Sequence, residues 1–313
     1  MCSRPMIFSG GSNPSLVSNV CACLDISPGQ ALTGRFSDGE VRVEIYENVR
    51  GMNTYALQST CPPVNENLME LLVVIDALKR ASARSINAVI PYYGYGRQDL
   101  KDKPRVALSA RMVADLVTVA GASRLISIDL HSDQIQGFFT IPVDHLSGTE
   151  VFLADLKRGL RGDETILAPD AAGVARARAF ASRLNVGLAI MDFRGAEYLS
   201  STRIVGKVEG RRVIIVDDLV DTGRTLARAA ESAKAQGAAI VDACCVHPIL
   251  SGNAVDIIES SPLRYLMVTD TVPLSVAASR CDKIRIVSIA PMLAEALRRI
   301  DRDESVSSLS VNS

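Results

Sequence analysis

Short apolar runs alternate with longer amphipathic stretches along nearly the whole chain. Residues 54–58, 86–90, 125–128, 165–168, 213–216, 239–246 and 266–269 are the apolar runs, and they predict strands. Residues 67–81, 109–120, 174–184, 225–236 and 291–300 space their apolar positions at helical intervals and predict helices. A run such as Val213-Ile214-Ile215-Val216 has no polar side, as expected of a parallel strand covered on both faces. Alternation of such strands with helices predicts an α/β protein, its sheets mainly parallel and flanked by helices. Both halves repeat one strand–loop–helix theme, so two similar domains are expected. The stretch 192–207 interrupts the rhythm. It is polar, contains glycine and lies between two strands, and loops of that length are uncommon unless functional or disordered. The plainer reading is an extended β-hairpin.

Composition narrows this picture. A chain of 313 residues suits two domains, each large enough for its own core. Hydrophobic residues make up 48% and aromatic ones 4%, with no Trp, so the cores are built from Val, Ile, Leu and Ala. The net charge of −1 argues against nucleic acid as a partner, and any phosphate chemistry must use local cations. No run is long enough to span a membrane, and Met1 to Phe8 lacks the apolar core of a signal peptide. The seven cysteines are odd in number, and their spacings suit neither a zinc site nor a Cys-x-x-Cys pair. They read as small buried residues of a reducing cytoplasm.

Chemistry concentrates in residues 213–225. The strand ends in Asp217 and Asp218, a third acid follows at Asp221, and Thr222-Gly223-Arg224-Thr225 leads into a helix. Loop amides and the two Thr hydroxyls at a helix N-terminus form a seat for a phosphomonoester. The carboxylates are too negative for that phosphate and suit sugar hydroxyls or hydrated Mg²⁺. The alternative is an ordinary turn with solvated acids, but three acids and two Thr within nine residues exceed what a turn requires. Elsewhere, Asp129 and His131 lie just past the 125–128 strand, where ligands of open α/β sheets collect. Asp170 occupies a second strand–loop–helix junction, and Arg97, Gln98 and Asp99 follow the turn Tyr93-Gly-Tyr-Gly96. His145 and His247 read as structural. Phe36-Ser-Asp-Gly-Glu40, taken alone, is a turn before a strand at 41–46.

Val216-Asp-Asp-x-x-Asp-Thr-x-x-Thr225 resembles the phosphoribosyl-binding motif of the phosphoribosyltransferase-type fold. Phe36–Glu40, Pro91-Tyr-Tyr-Gly-Tyr-Gly-Arg-Gln-Asp99, Asp129-Leu-His-Ser-Asp-Gln-Ile-Gln-Gly-Phe-Phe139 and Pro142-Val-Asp144 stand in the same order as in the ribose-phosphate pyrophosphokinase family. With them, the resemblance to that family runs from about Met6 to Leu309. It implies two phosphoribosyltransferase-like domains, 1–147 and 148–313, the second carrying the ribose 5-phosphate loop, with the C-terminal segment packed back towards the first. It implies transfer of the β,γ-diphosphoryl group of ATP to the 1-hydroxyl of ribose 5-phosphate, giving phosphoribosyl pyrophosphate and AMP, with Mg²⁺ as cofactor. By resemblance, Phe36, Asp38 and Glu40 clamp adenine from a neighbouring subunit, and Arg97, Gln98, Asp99 and His131 serve ATP. His131 and Asp170 bind metal. Asp217, Asp218, Asp221, Thr222, Gly223, Arg224 and Thr225 hold ribose 5-phosphate. His131 and Arg194 act in catalysis, Arg194 from a loop closing over the triphosphate. A cytoplasmic homo-oligomer of the hexamer-of-dimers type is implied. So is a phosphate or ADP effector site through Arg50, Arg105, Gln136, Asp144 and the serines of 305–310.

Three positions depart from the family pattern. The family loop opens Lys-x-Arg, whereas Asp192-Phe193-Arg194 aligns here, and a carboxylate beside triphosphate opposes transition-state stabilisation. Arg203 or Lys207 is a candidate replacement cation. Ala172 replaces the first of two glycines, where a methyl crowds the backbone approach to phosphate. Arg224 replaces a glycine, in a form seen in many true phosphoribosyltransferases. These changes leave open a catalytically weakened or inactive paralogue that binds nucleotide or ribose phosphate and regulates an active subunit. A phosphoribosyltransferase that consumes phosphoribosyl pyrophosphate would lack the Arg-Gln-Asp and Asp-Leu-His motifs.

Overall fold

The computed structural model describes residues 5–192 and 203–309. Backbone contacts divide the chain into two units, residues up to Ser147 together with those from Ile289, and Gly148–Ser288. The first unit contains β1 (Met6–Ser9), α1 (Pro14–Leu24), β2 (Ala31–Arg35), β3 (Val41–Ile45), β4 (Asn53–Leu57), α2 (Val64–Arg80), β5 (Ser85–Ile90), α3 (Ser109–Ala120), β6 (Arg124–Ile128) and β7 (Val143–Leu146). The second contains α4 (Thr149–Arg158), β8 (Glu164–Ala168), α5 (Val174–Leu184), β9 (Gly187–Asp192), β10 (Arg203–Val205), β11 (Arg212–Val220), α6 (Arg224–Ala235), β12 (Ile240–Pro248), α7 (Ala254–Ser260), β13 (Leu266–Thr269), α8 (Val276–Arg280) and β14 (Ile284–Val287). The last helix, α9 (Ala290–Asp301), returns to the first unit and packs on α1. The second unit therefore ends at Ser288, short of the 148–313 expected from sequence. The apolar face of α9, with Met292, Leu293, Ala296 and Leu297 buried, explains the return.

The first unit is built on a five-stranded sheet of order β1-β4-β5-β6-β7, parallel throughout. Alternate residues point to opposite faces. Phe8, Ala56, Ala88, Ile90 and Leu125 join Leu71, Ile75, Val113 and Val117 of α2 and α3 in one core. Ile7, Leu57, Val89 and Ile126, their neighbours in sequence, are equally buried and so belong to the other face. β2 and β3 stand apart as an antiparallel pair.

The second sheet has the order β10-β9-β8-β11-β12-β13-β14 and is parallel except for the β9–β10 edge. Val213 and Ile215 pack in one core with Leu226, Ala230 and Ala233 of α6 and Ile258 of α7. The chain leaves β8 towards β9, then recrosses to place β11 on β8's other side, so strand order reverses between β8 and β11. In open α/β sheets such a reversal opens a crevice beyond the carboxyl ends of the two strands.

Two sequence expectations need correction. Asp217 and Asp218 do not sit in a turn after a strand ending at 216. β11 runs on to Val220, with Asp217 in register with Cys245 and Leu219 with His247. Its ladder with β8 stops at Ile215, so the acids sit on a projecting length of strand supported only by β12. The stretch 192–207 is not all loop. Arg203–Val205 form β10, antiparallel to β9 with Arg203 opposite Asp192, which is the hairpin reading.

Candidate active site

The loops after β8 and β11 flank the reversal in strand order, and their acids gather there. In the first loop Asp170 accepts a 2.8 Å hydrogen bond from the Gly173 amide, fixing the turn into α5. On the projecting end of β11, just before the second loop, the Asp217 and Asp218 side chains are 13% and 8% exposed, and Asp217 Oδ1 accepts from the Asp218 amide at 3.0 Å. Two adjacent buried carboxylates repel one another. Burial pushes the Asp217 carboxyl up to about 8, the Asp218 charge adds to the rise, and the Arg176 guanidinium opposes it. Arg176, on the first turn of α5, places Nη1 3.6 Å from Asp217 Oδ1 and 3.4 Å from Asp218 Oδ1. Asp170 lies close enough for its charge to raise Asp217 further. The sequence reading missed Arg176. In Val174-Ala-Arg-Ala-Arg178 it looks like a solvated helix face, and the only clue is its position one turn past the Asp170 junction.

Beyond the acids, Gly223 caps α6 with φ +75°, a left-handed conformation that favours glycine, and no side chain caps the helix there. A Cβ at Gly223 would also stand 3.2 Å from the Ala254 carbonyl oxygen. Thr222, Arg224 and Thr225 are exposed around it, and Asp221 is half-buried. The Asp221 carbonyl accepts from the Ser251 amide at 2.9 Å, which anchors the loop away from its open side. Ala172 lies exposed in the Asp170 loop.

The first unit gathers a different set. Asp99 is buried and accepts from Ser132 Oγ and, at 2.9 Å, from Gln134 Nε2. The 97–99 turn is thereby tied to the segment carrying His131. Gln98 Oε1 accepts from Ser109 Oγ at 2.8 Å, joining the turn to the start of α3. Arg97 and His131 are exposed, while Asp129 is buried with φ +36°. Phe36, Asp38 and Glu40 form the exposed tip of the β2–β3 hairpin. There Phe36 N donates to the Glu40 carbonyl at 2.8 Å, and the Arg42 guanidinium lies 5.7 Å from the Phe36 ring centroid. Arg194 falls outside the described residues.

Hard carboxylate oxygens around Asp170, Asp217 and Asp218 fit a divalent cation such as Mg²⁺ in donor chemistry. Among the described residues no group of three or more His, Cys, Asp or Glu side chains could form a complete metal cage. Mg²⁺ seldom uses one, since it keeps several waters and takes further oxygens from substrate phosphates. The described cysteines are free and, apart from Cys23, buried. Burial pushes the Cys61 thiol up to about 11 and raises Cys244 and Cys245 as well, so these thiols are poor nucleophiles.

A parallel α/β sheet whose strand order reverses beside an acid pair and a glycine–threonine loop is an architecture of the phosphoribosyltransferase type. Comparison with known proteins is more specific. Residues 5–121 match the N-terminal domain of ribose phosphate pyrophosphokinase, and residues 197–310 match the phosphoribosyl synthetase-associated domain. The ribose-phosphate pyrophosphokinase of Ralstonia nicotianae is 52% identical over 97% of both chains. That of Bordetella pertussis is 50% identical over 97% of this chain and 99% of its own. The crystal structure of phosphoribosylpyrophosphate synthetase from Mycobacterium smegmatis superposes with a TM-score of 0.91 at 38% identity, covering 96% of this chain and 100% of that one. The chain belongs to the ribose-phosphate pyrophosphokinase family. It is a transferase that makes phosphoribosyl pyrophosphate, and nothing favours a non-catalytic regulatory subunit. No described helix is long and apolar enough to cross a membrane.

Proposed function

We propose that the second unit's acid pair and loop hold ribose 5-phosphate while first-unit residues hold ATP. The 1-hydroxyl of the sugar attacks the β-phosphorus, the β,γ-diphosphoryl group moves, and AMP leaves. The observation that carries this reading is the pair Asp217–Asp218 at the strand-order reversal, followed by Gly223 in a left-handed turn opening α6. The amides of residues 222–225 and the hydroxyls of Thr222 and Thr225 bind the 5-phosphate, favoured by the positive end of α6. Arg224 adds a cation beside them. Asp217 and Asp218 accept from ribose hydroxyls, and Asp221 borders the same loop. Arg176 offsets the charge of the acid pair and keeps it from repelling the incoming phosphosugar.

On the first unit, Arg97, Gln98 and Asp99 receive the nucleotide, and His131 faces its phosphates. The Asp99–Ser132–Gln134 bonds hold the 97–99 turn and the His131 segment in one arrangement. Mg²⁺ is the fitting metal, and His131 and Asp170 are the residues that would hold it. When bound it supplies positive charge for the moving diphosphoryl group. Arg194 supplies a further cation to that group. Phe36, Asp38 and Glu40 serve the adenine of a neighbouring subunit in a cytoplasmic homo-oligomer of the hexamer-of-dimers type. The exposure of Phe36, at 51%, supports that role. Phosphate or ADP regulates activity through Arg50, Arg105, Gln136, Asp144 and the serines of 305–310.

The test is stoichiometric. With Mg²⁺, ATP and ribose 5-phosphate, AMP and phosphoribosyl pyrophosphate are expected in equal amounts. Release of ADP in place of AMP would reject diphosphoryl transfer.

A further inference from the structure

His145, which the sequence offers only as a buried structural histidine, does more than fill space. β6 and β7 pair through Ile128 and Leu146, and the Asp129 amide extends that pairing by donating to the Leu146 carbonyl at 3.0 Å. At Asp129 the chain swings to φ +36° and leaves the ladder. The next amide, that of Leu130, is buried and has left the sheet, and a buried amide requires an acceptor. His145 Nε2 accepts it at 2.8 Å. A ring nitrogen that accepts carries no hydrogen, so the hydrogen of the neutral imidazole is on Nδ1. The Nδ1–H faces the acceptor Asp133 Oδ1 at 3.6 Å, on the short 3-10 helix Asp133–Phe138, while Gln136 Nε2, 3.2 Å away, is itself a donor that bonds the Asp133 carbonyl. One imidazole, 5% exposed, therefore holds the Leu130 amide just before His131 and lies against the 3-10 helix that follows Ser132.

The geometry points to His145 as a positioning residue for the nucleotide side of the reaction. It fixes the start of the short segment from which His131 projects, at the Leu130 amide, and packs against its far end, and so sets the direction of the His131 ring. Residues that orient a ligand from behind contribute to affinity without touching what is bound. The left-handed Asp129 makes the latch necessary, because a turn in that region relaxes readily once the bond beyond it is lost.

The inference rests on the reading of His131 as a nucleotide-side ligand, and three variants separate the two. Gln at 145 extends far enough to accept from the Leu130 amide, whereas Asn is equally polar but too short. In His145→Asn the Leu130 amide should exchange with solvent at least about ten-fold faster, and MgATP affinity by calorimetry should fall by about ten-fold. The KM for ribose 5-phosphate should stay within about two-fold. His145→Gln should restore both the protection and the affinity. Unchanged Leu130 exchange in His145→Asn would overturn the latch. So would normal MgATP affinity in His145→Asn when His131→Ala binds MgATP weakly. If His131→Ala itself binds MgATP normally, the proposal falls with the assigned role of His131, while the Leu130 exchange still reports the bond.

Discussion

In the first unit the glycine loop after β1 is filled by the protein's own carboxylate. Glu70 of α2 accepts from the Gly11 amide at 2.7 Å and from Gln58 Nε2 at 2.7 Å, and Gln58 Oε1 in turn accepts from the Ser12 amide. A Cβ at Gly10 would lie 2.4 Å from a Glu70 oxygen, so the loop is wrapped tightly around that group. Asn13 completes it by capping α1. The loop after β11 in the second unit is arranged the other way. Its acids stay on the strand behind it, Gly223 turns the chain, and no side chain caps α6. The two sheets differ to match. Strand order runs without reversal from β1 to β7 in the first, and reverses between β8 and β11 in the second. One strand–loop–helix plan thus gives a loop occupied internally by Glu70 and another without such a plug, the one proposed for the substrate, and topology decides which lies at a strand-order reversal.

The comparison breaks most visibly at Asp218. Asp218→Ala removes the nearly buried carboxylate proposed to accept from a sugar hydroxyl, and kcat/KM for ribose 5-phosphate should fall about 100-fold or more. MgATP affinity should hold in calorimetry, and an equal loss of nucleotide affinity would contradict the division of labour. Next comes Glu70→Ala, which orphans the Gly11 amide and the Gln58 side chain and should cost about 2–3 kcal/mol in urea unfolding. It should leave the KM for ribose 5-phosphate unchanged, and a rise would mean that the first loop also handles substrate.

Asp217 sharpens the comparison through pH. Its folded carboxyl is pushed up to about 8, so between about pH 4 and pH 8 the native state keeps a proton that the unfolded chain has lost. Stability from this group is complete below that window and lost as pH rises through it. Asp217→Asn should therefore flatten the decline and raise the apo Tm at pH 8 by a few degrees, with the gain vanishing towards pH 4. A gain that is the same at pH 4 and pH 8 would remove the acid pair as its cause. The smallest effect is at Gly223. A side chain at φ +75° costs about 1 kcal/mol, so Gly223→Ala should lower Tm slightly while raising the KM for ribose 5-phosphate several-fold. A Tm change without any KM change would place the loop outside the site.

The residues proposed for the sugar side stand out in the sequence because they are neighbours in it. An apolar strand, paired acids and a Thr-Gly-Arg-Thr turn stand together there before any packing is known. The strand's true end was not legible, because pairing with β12 carries β11 past the acids. Arg176 stayed hidden, since it meets the acids across the strand-order reversal and nothing in its local run marks it. The Glu70–Gln58 plug was invisible for the same reason, its three segments being joined only by the fold. The alternation of strands and helices gave the α/β class, yet strand order, the short β10 edge and the return of α9 to α1 depend on tertiary pairing. Arg194 and the centre of its loop lie outside the described residues.

The central claim is that the substrate phosphate belongs to the second loop and not to the first. A crystal structure of the protein with ribose 5-phosphate reads this directly. The account predicts phosphate oxygens on the amides of residues 222–225, with the ribose hydroxyls on Asp217 and Asp218 and Glu70 still holding the Gly11 amide. Phosphate bound at Gly10–Ser12 with Glu70 displaced, or a second-unit loop left empty at saturating sugar phosphate, would contradict it.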